Sequence, residues 1–447
     1  QNRFPTSPYA PVYTAPNNTI LKKFINTPGY IFFDGGANKS LKFVLHSFSS
    51  NQGQAFFLGR GSHDISIKNV IIENASPKIT TKTTLPRTKW SPSDGFQFTA
   101  DSIPTPDGVL GFSAGIANRG SLTSDIFESR TLFIDTVQNS NNKFIGNEIT
   151  GFGYGIASMG IGVLINPRTF RYDRYYNLNN VISNNIIYDV EKAGIFVGFE
   201  ENPEISGNRI YNVKSVNTDE SYGIQAGDYP VTYGRGYNNI GIKLYNNEIS
   251  GLVDSKTTAG IYILQNGEQF PSPLEGYQFF PNIAENFKVY NNIVWGIKNN
   301  DVNGSRYGIN ISTARTTSFN PKFSDYFGQN LLVANNTIVI GDDGINNNGN
   351  QAGLSILNFN GVKVYNNAIA ITDNAVNNSN SDFDAAIVYQ GRFPSANTFV
   401  SDNNAFWLGN NQNLSHFRFV ETYKNDQAIE AGYNNQYKSL LQWQLWT

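Results

Sequence analysis

The chain has 447 residues, with 33 Lys and Arg against 35 Asp and Glu and a net charge of −2. Charge this sparse and balanced gives no basis for a nucleic-acid or anionic-membrane partner, and no apolar run approaches the roughly 20 residues that span a bilayer. There is no cysteine, which excludes disulfides, thiol catalysis and thiolate metal sites.

Aromatics are abundant, 24 Tyr and 32 Phe beside 41 Gly. A cysteine-free chain rich in Asn, Gly, Ser and Thr fits a secreted bacterial protein. It begins with Gln1 and stops at Trp446-Thr447 without a closing turn signal. The expectation is a segment of something longer, adjoined by further domains or by copies of itself.

Residues 1–30 carry Pro5, Pro8, Pro11 and Pro16 and read as an irregular lead-in that covers the N-terminal end. Tyr30-Ile31-Phe32-Phe33-Asp34 is the first clear strand. Leu41 to Leu45, Ala55 to Leu58 and Ile65 to Ile72 then give three short β-runs with polar breaks, the appearance of one three-sided coil. Residues 78–110 break the rhythm with Thr, Lys, Pro and Ser. They read as an insertion from one corner, in which Lys78, Lys82, Arg87 and Lys89 form either a basic rim or a solvated loop.

From there two strand classes alternate. One carries Gly before Ile or Leu: Gly115-Ile116, Gly155-Ile156, Gly194-Ile195, Gly223-Ile224, Gly260-Ile261, Gly308-Ile309 and Gly353-Leu354, with Ala386-Ile387 as a weakened copy. The other carries Asn before an apolar alternation: Asn147, Asn185, Asn208, Asn247, Asn292, Asn336, Asn367 and Asn404. Asn208 follows Asn185 by about 23 residues, one turn of a stacked-coil architecture. The chain therefore reads as an all-β, three-sided parallel β-helix of roughly nine or ten coils over residues 31–410, a rod of about 45 Å, with 411–447 as the closing element. Ile187, Ile210, Ile249, Ile293, Ile338 and Ile369 are expected to stack inside. The Asn column is expected to take the left-handed bend between two faces and to bond as a ladder. Gly is expected at another corner, permitting a bend that no β-carbon allows.

Asn366-Asn367-Ala368-Ile369 and Ala193-Gly194-Ile195-Phe196-Val197-Gly198 resemble the right-handed parallel β-helix superfamily. With Phe152-Gly153-Tyr154-Gly155-Ile156, Tyr237-Asn238-Asn239-Ile240 and the terminal Leu441-Gln442-Trp443-Gln444-Leu445-Trp446, they more narrowly resemble β-helix segments of large surface proteins of Bacteroidota and Chlorobiota. That resemblance implies cell-surface association, a longer chain, and contact with a type IX secretion machinery.

The links between strand classes differ in chemistry. From Asn strand to Gly-Ile strand they are polar. From Gly-Ile strand onward they are longer and aromatic, with Tyr172, Tyr175, Tyr229, Tyr233 and Arg235 among them. Aligned on one edge, these five residues would bind glycan, because sugar C–H faces stack on aromatic rings and Arg offers a fork to carboxylates or hydroxyls. Two alternatives stay open: the long links pack their own aromatics over the core, or they form a contact surface for a neighbouring copy. For catalysis, a glycosidase needs two carboxylates at ~5–9.5 Å, and Glu200, Glu201 and Glu204 cluster with Asp173 and Asp228 as candidate partners. A polysaccharide lyase needs a base and a neutraliser for the sugar carboxylate, and Arg171, Arg174 and Arg235 are the candidates. Adjacent Glu200 and Glu201 must point to opposite faces. His46, His63 and His416 lie away from acidic clusters, except that His63-Asp64 shares an early turn. Asp342-Asp343-Gly344 is the one calcium candidate, and no cofactor motif is present. The residues favour a non-catalytic surface, adhesion or glycan-binding protein, with a lyase or hydrolase as the alternative.

Overall fold

The computed structural model describes residues 13–14, 20–21, 29–46, 53–59, 61–75, 113–119, 138–160, 162–165, 172–214, 220–227, 238–254, 256–266, 268–272, 276–280, 286–301, 303–314, 328–341, 346–347, 349–372, 374–375, 385–392, 398–408, 415–424, 427–428 and 434–437. The insertion expected at 78–110 and the calcium candidate at 342–344 lie outside these. Every regular element among them is a β-strand, and no helix there is long and apolar enough to cross a membrane.

The strands stack into three long sheets. Sheet I has ten parallel strands, from Phe32–Asp34 to Phe399–Asp402. Sheet II has ten, from Leu41–Leu45 to Ala405–Trp407. Sheet III runs in parallel from Gly53–Leu58 to Ser415–Lys424, and that last strand also pairs antiparallel with Gln427–Ala428 and Asn434–Tyr437. Each coil contributes one strand to I, II and III in turn, so the chain is a right-handed parallel β-helix.

Period-2 alternation builds the core. Ile182, Ile205 and Leu244 of sheet I, Ile187, Ile210 and Ile249 of sheet II, and Ile195, Ile224 and Ile261 of sheet III are in register and buried. One expected member of the inner column is displaced. Ile249 is in register with Val294, and Ile293 is 48% exposed. The inward residue lies two after the ladder Asn in every coil, so Val294 is the core residue and Ile293 faces out.

The Asn corner joins sheets I and II, and two residues divide its work. The first takes the left-handed bend: Asn184, Asn246, Asn291, Asn335, Asn366 and Asn403 have φ of 55–57°, and Gly207 stands in the same place at 64°. The second builds the ladder. Asn185 Nδ2 donates to Asn208 Oδ1 at 2.9 Å, Asn208 to Asn247 at 3.0 Å, Asn247 to Asn292 at 3.0 Å, Asn292 to Asn336 at 3.0 Å and Asn336 to Asn367 at 2.9 Å. Asn147 and Asn404 extend the column at its two ends.

The Gly-Ile glycines serve contact rather than a left-handed φ. A Cβ on Gly223 would overlap the Ile249 Cγ2 methyl across the core and approach the Gly260 carbonyl oxygen of the next coil. Ala386 holds the equivalent place where Phe406, which lacks a β-methyl, follows Ile369 in register. Gly223→Ala should therefore lower stability by about 1–3 kcal/mol through overpacking, read as a lower denaturant midpoint. An unchanged midpoint would mean that the space is not filled as described.

Outside sheet III a second apolar layer forms. Its outward column alternates large and small as Tyr154, Ala193, Tyr222, Ala259 and Tyr307. Tyr176 and Phe199, from the links that follow, join that cluster. From Ser113–Arg119 onward the described strands of sheet III are largely buried on both faces, while sheets I and II keep one face toward water.

Candidate functional site

Glu200 sits at the corner where sheet III turns toward sheet I. Strand Glu200–Glu201 pairs with Asn177–Leu178 of the previous coil. The side chain is 0% exposed, and Glu201, facing the other way, is half-buried. Ser158 Oγ donates to Glu200 Oε1 at 2.6 Å, Asn177 Nδ2 to Oε1 at 2.9 Å and Asn180 Nδ2 to Oε2 at 2.8 Å. One coil before Asn177 and Asn180, Asn139 Nδ2 and Asn142 Nδ2 both donate to Asn118 Oδ1, and Asn118 Nδ2 donates to Ser158 Oγ. Glu200 is therefore the charged counterpart of Asn118 in a buried amide column. Burial raises its carboxyl from 4.5 to about 7, against the opposing pull of the bonds from Ser158, Asn177 and Asn180.

The other expected site residues are distributed as follows. Tyr172, Asp173, Arg174 and Tyr175 form one strand, antiparallel to Gly162–Ile165, in a hairpin beside the sheet III corner. A second link of the same class forms the hairpin Glu268–Ser272 with Gly276–Phe280. Arg171, Asp228, Tyr229, Tyr233 and Arg235 lie outside the described residues. Glu204 is on the outward side of sheet I, where its Oε1 accepts from the Tyr245 hydroxyl at 2.5 Å. His63 Nδ1 and Asp64 Oδ2 are 3.0 Å apart within one turn. Among the described residues, no group of three or more His, Cys, Asp or Glu is arranged to hold a metal ion.

Two surface features escaped the sequence reading. The first is on sheet II. Trp295 and Trp407 are 46% and 57% exposed; Val339, Ala370 and Trp407 are in register, and Trp295 follows Val294, the partner of Ile338, where the pairing shifts register. The neighbouring column carries Ile293, Thr337, Ala368 and Ala405. The result is a flat, small-residue floor with an indole at each end, three coils or roughly 14 Å apart. The second is on sheet I. Lys243, Lys288 and Lys363 project outward beside Tyr245, Tyr290 and Tyr365. The repeated Lys-(Leu/Val)-Tyr-Asn-Asn at 243, 288 and 363 is the sequence signal for it, since alternation sends Lys and Tyr to one face and the apolar residue to the core.

No family model matches the chain, and no curated protein matches it in sequence. Among solved structures it is similar to the Dettilon tailspike protein, at 12% identity over 90% of this chain and 55% of that one, with a TM-score of 0.30. It is also similar to a double mutant of the periplasmic alginate epimerase AlgG, at 12% identity over 87% of this chain and 83% of that one, with a TM-score of 0.32. The chain spans about half the length of the tailspike it matches. Its own three sheets, stacked in register from residue 32 to residue 424, make it a right-handed parallel β-helix.

Proposed function

We propose that this chain is an extracellular, non-catalytic β-helix that binds glycan at a cell surface, in adhesion or surface assembly. The observation that carries this reading is the exposed pair Trp295 and Trp407 on one flat face. Indoles left in water on a rigid sheet cost solvation and contribute nothing to the core, and sugar rings stack on such surfaces with their C–H faces. The aromatic edge of Tyr172, Tyr175, Tyr229, Tyr233 and Arg235 is a second contact in the same reading. The rod suits the role, because stacked coils hold ligand groups at fixed spacing without a conformational change.

The test is affinity for a panel of neutral polysaccharides. Replacing Trp295 and Trp407 together by Ala should weaken binding about tenfold and leave the melting temperature unchanged, because two aromatic stacking contacts are lost and no core residue is touched. Equal binding by the variant sinks the face as a site. Replacing Tyr175 and Tyr233 by Ala tests the edge in the same way. Unsaturated or reducing-end products in the incubations would replace this reading with a lyase or hydrolase acting along the loop edge.

A further inference from the structure

The outward face of sheet I carries charge that the rod itself does not use. Lys143, Lys243, Lys288 and Lys363 lie in one register column, all exposed, with Val181, Glu204 and Leu332 at the intervening coils. Lys243 and Lys288 are direct neighbours across adjacent coils. Like charges directly opposite on a sheet repel; Glu204, in register with Lys243, offsets this on one side, and Lys288 has no described acidic residue in register. Among the described residues the four lysines form no ion pair, and Glu204, the acidic residue next to Lys243, accepts from the Tyr245 hydroxyl. The contrast lies on sheet II, where Lys42 meets Glu73 at 2.6 Å and Arg209 meets Glu248 at 3.6 Å.

The flanks of the column are hydrogen-bonding groups. On one side lie Tyr245, Tyr290 and Tyr365, the first two stacked at 4.9 Å. Along the two corners of the sheet run exposed left-handed Asn residues, Asn286 and Asn330 on one side and Asn291 and Asn366 on the other. The face thus offers ammonium groups one to three coils apart, with phenol hydroxyls and carboxamides beside them.

We infer that sheet I is the docking face for an acidic polysaccharide, its carboxylates along the lysine column and its hydroxyls on the Tyr and Asn groups, its chain parallel to the rod. Charge complementarity selects an anion. Ammonium groups spread along one column, at steps of three, one and two coils of about 4.8 Å each, select an extended polyanion over a small anion. The flanking carboxamides and phenols select a polyol over a bare polyanion. This inference shares the glycan-binding reading but uses a different face and a different polymer.

The experiment is equilibrium binding of the intact chain to polygalacturonate, to its fully methyl-esterified form, and to polyphosphate. Polygalacturonate should bind at least tenfold more tightly than the uncharged ester, with affinity falling as salt rises. The triple variant Lys243→Gln, Lys288→Gln, Lys363→Gln should lose about tenfold or more at an unchanged melting temperature, and Lys288→Gln alone should lose a smaller part. The double Trp variant should bind polygalacturonate as the parent does. The inference is overturned by absent polygalacturonate binding, by an unaffected triple variant, or by polyphosphate binding as tightly as polygalacturonate. If neutral glycans still bind in those cases, the sheet II reading stands. If the Trp variant loses neutral glycans while polygalacturonate holds, the two faces are independent sites.

Discussion

Asn247→Leu should lower stability by about 2–4 kcal/mol, more than a typical point substitution. Asn247 stands in mid-ladder and is 1% exposed. Its Oδ1 accepts from the Asn208 backbone N–H at 3.1 Å and from Asn208 Nδ2 at 3.0 Å. Its Nδ2 donates to the Ile205 carbonyl and to Asn292 Oδ1, both at 3.0 Å. Leu is close in volume but satisfies none of these, so the groups left behind stay buried without partners. Asn247→Asp is the informative companion. It keeps the acceptor and loses the donor, while burying a charge between Ile205 and Asn292. A midpoint for Asn247→Leu within about 0.5 kcal/mol of the parent would show that the ladder is ornamental. The turn half of the corner is separable. Asn246→Gly should be nearly neutral, because Asn246 holds only the left-handed φ of 56° and its side chain faces solvent.

Much of the fold is legible in the residues because each coil repeats the same constraint. Asn before an apolar alternation recurs eight times, and any slip by one residue would expose a whole column. The errors come where that constraint weakens. Ile293, Val294 and Trp295 are three apolar residues in succession, so hydrophobicity alone does not say which of them faces in. Register decides, and it buries Val294. The Asn-Asn pair hides a division of labour, because bend and ladder need the same residue type in adjacent positions. Glu200 illustrates the harder limit. It stands in a local cluster of three carboxylates that reads as a catalytic surface. Its partners Ser158, Asn177 and Asn180 come from preceding strands, and no local pattern ties them to it. The lysine column escaped the sequence reading, although Lys-(Leu/Val)-Tyr-Asn-Asn recurs at 243, 288 and 363. It carries meaning only once the three lysines are known to share one exposed face.

Glu200 should make the rod lose stability as pH rises through neutrality, the reverse of the usual carboxylate. Its folded value of about 7 lies above the reference 4.5, so between those values the folded state binds the proton that the unfolded chain has released. The stability that goes with this proton is fully present below pH 4.5, declines as pH rises from 4.5 to about 7, and is gone above that. The interval corresponds to about 3 kcal/mol. Glu200→Gln isolates the effect, since every other titrating group remains. The amide is a fair substitute, because Asn118 already performs the same task for Asn139 and Asn142, one coil before Asn177 and Asn180, with one oxygen receiving two Asn donors and its nitrogen donating to Ser158. Stabilities from denaturant unfolding at pH 5 and pH 8 should differ by roughly 2–3 kcal/mol more in the parent than in the variant, with the variant the more stable relative to the parent at pH 8. Parallel pH profiles for the two chains would show that Glu200 is ionised across the whole range, held so by its three donors against the cost of burial. A parent that gains stability from pH 5 to pH 8 relative to the variant would reverse the sign and place the folded value below 4.5.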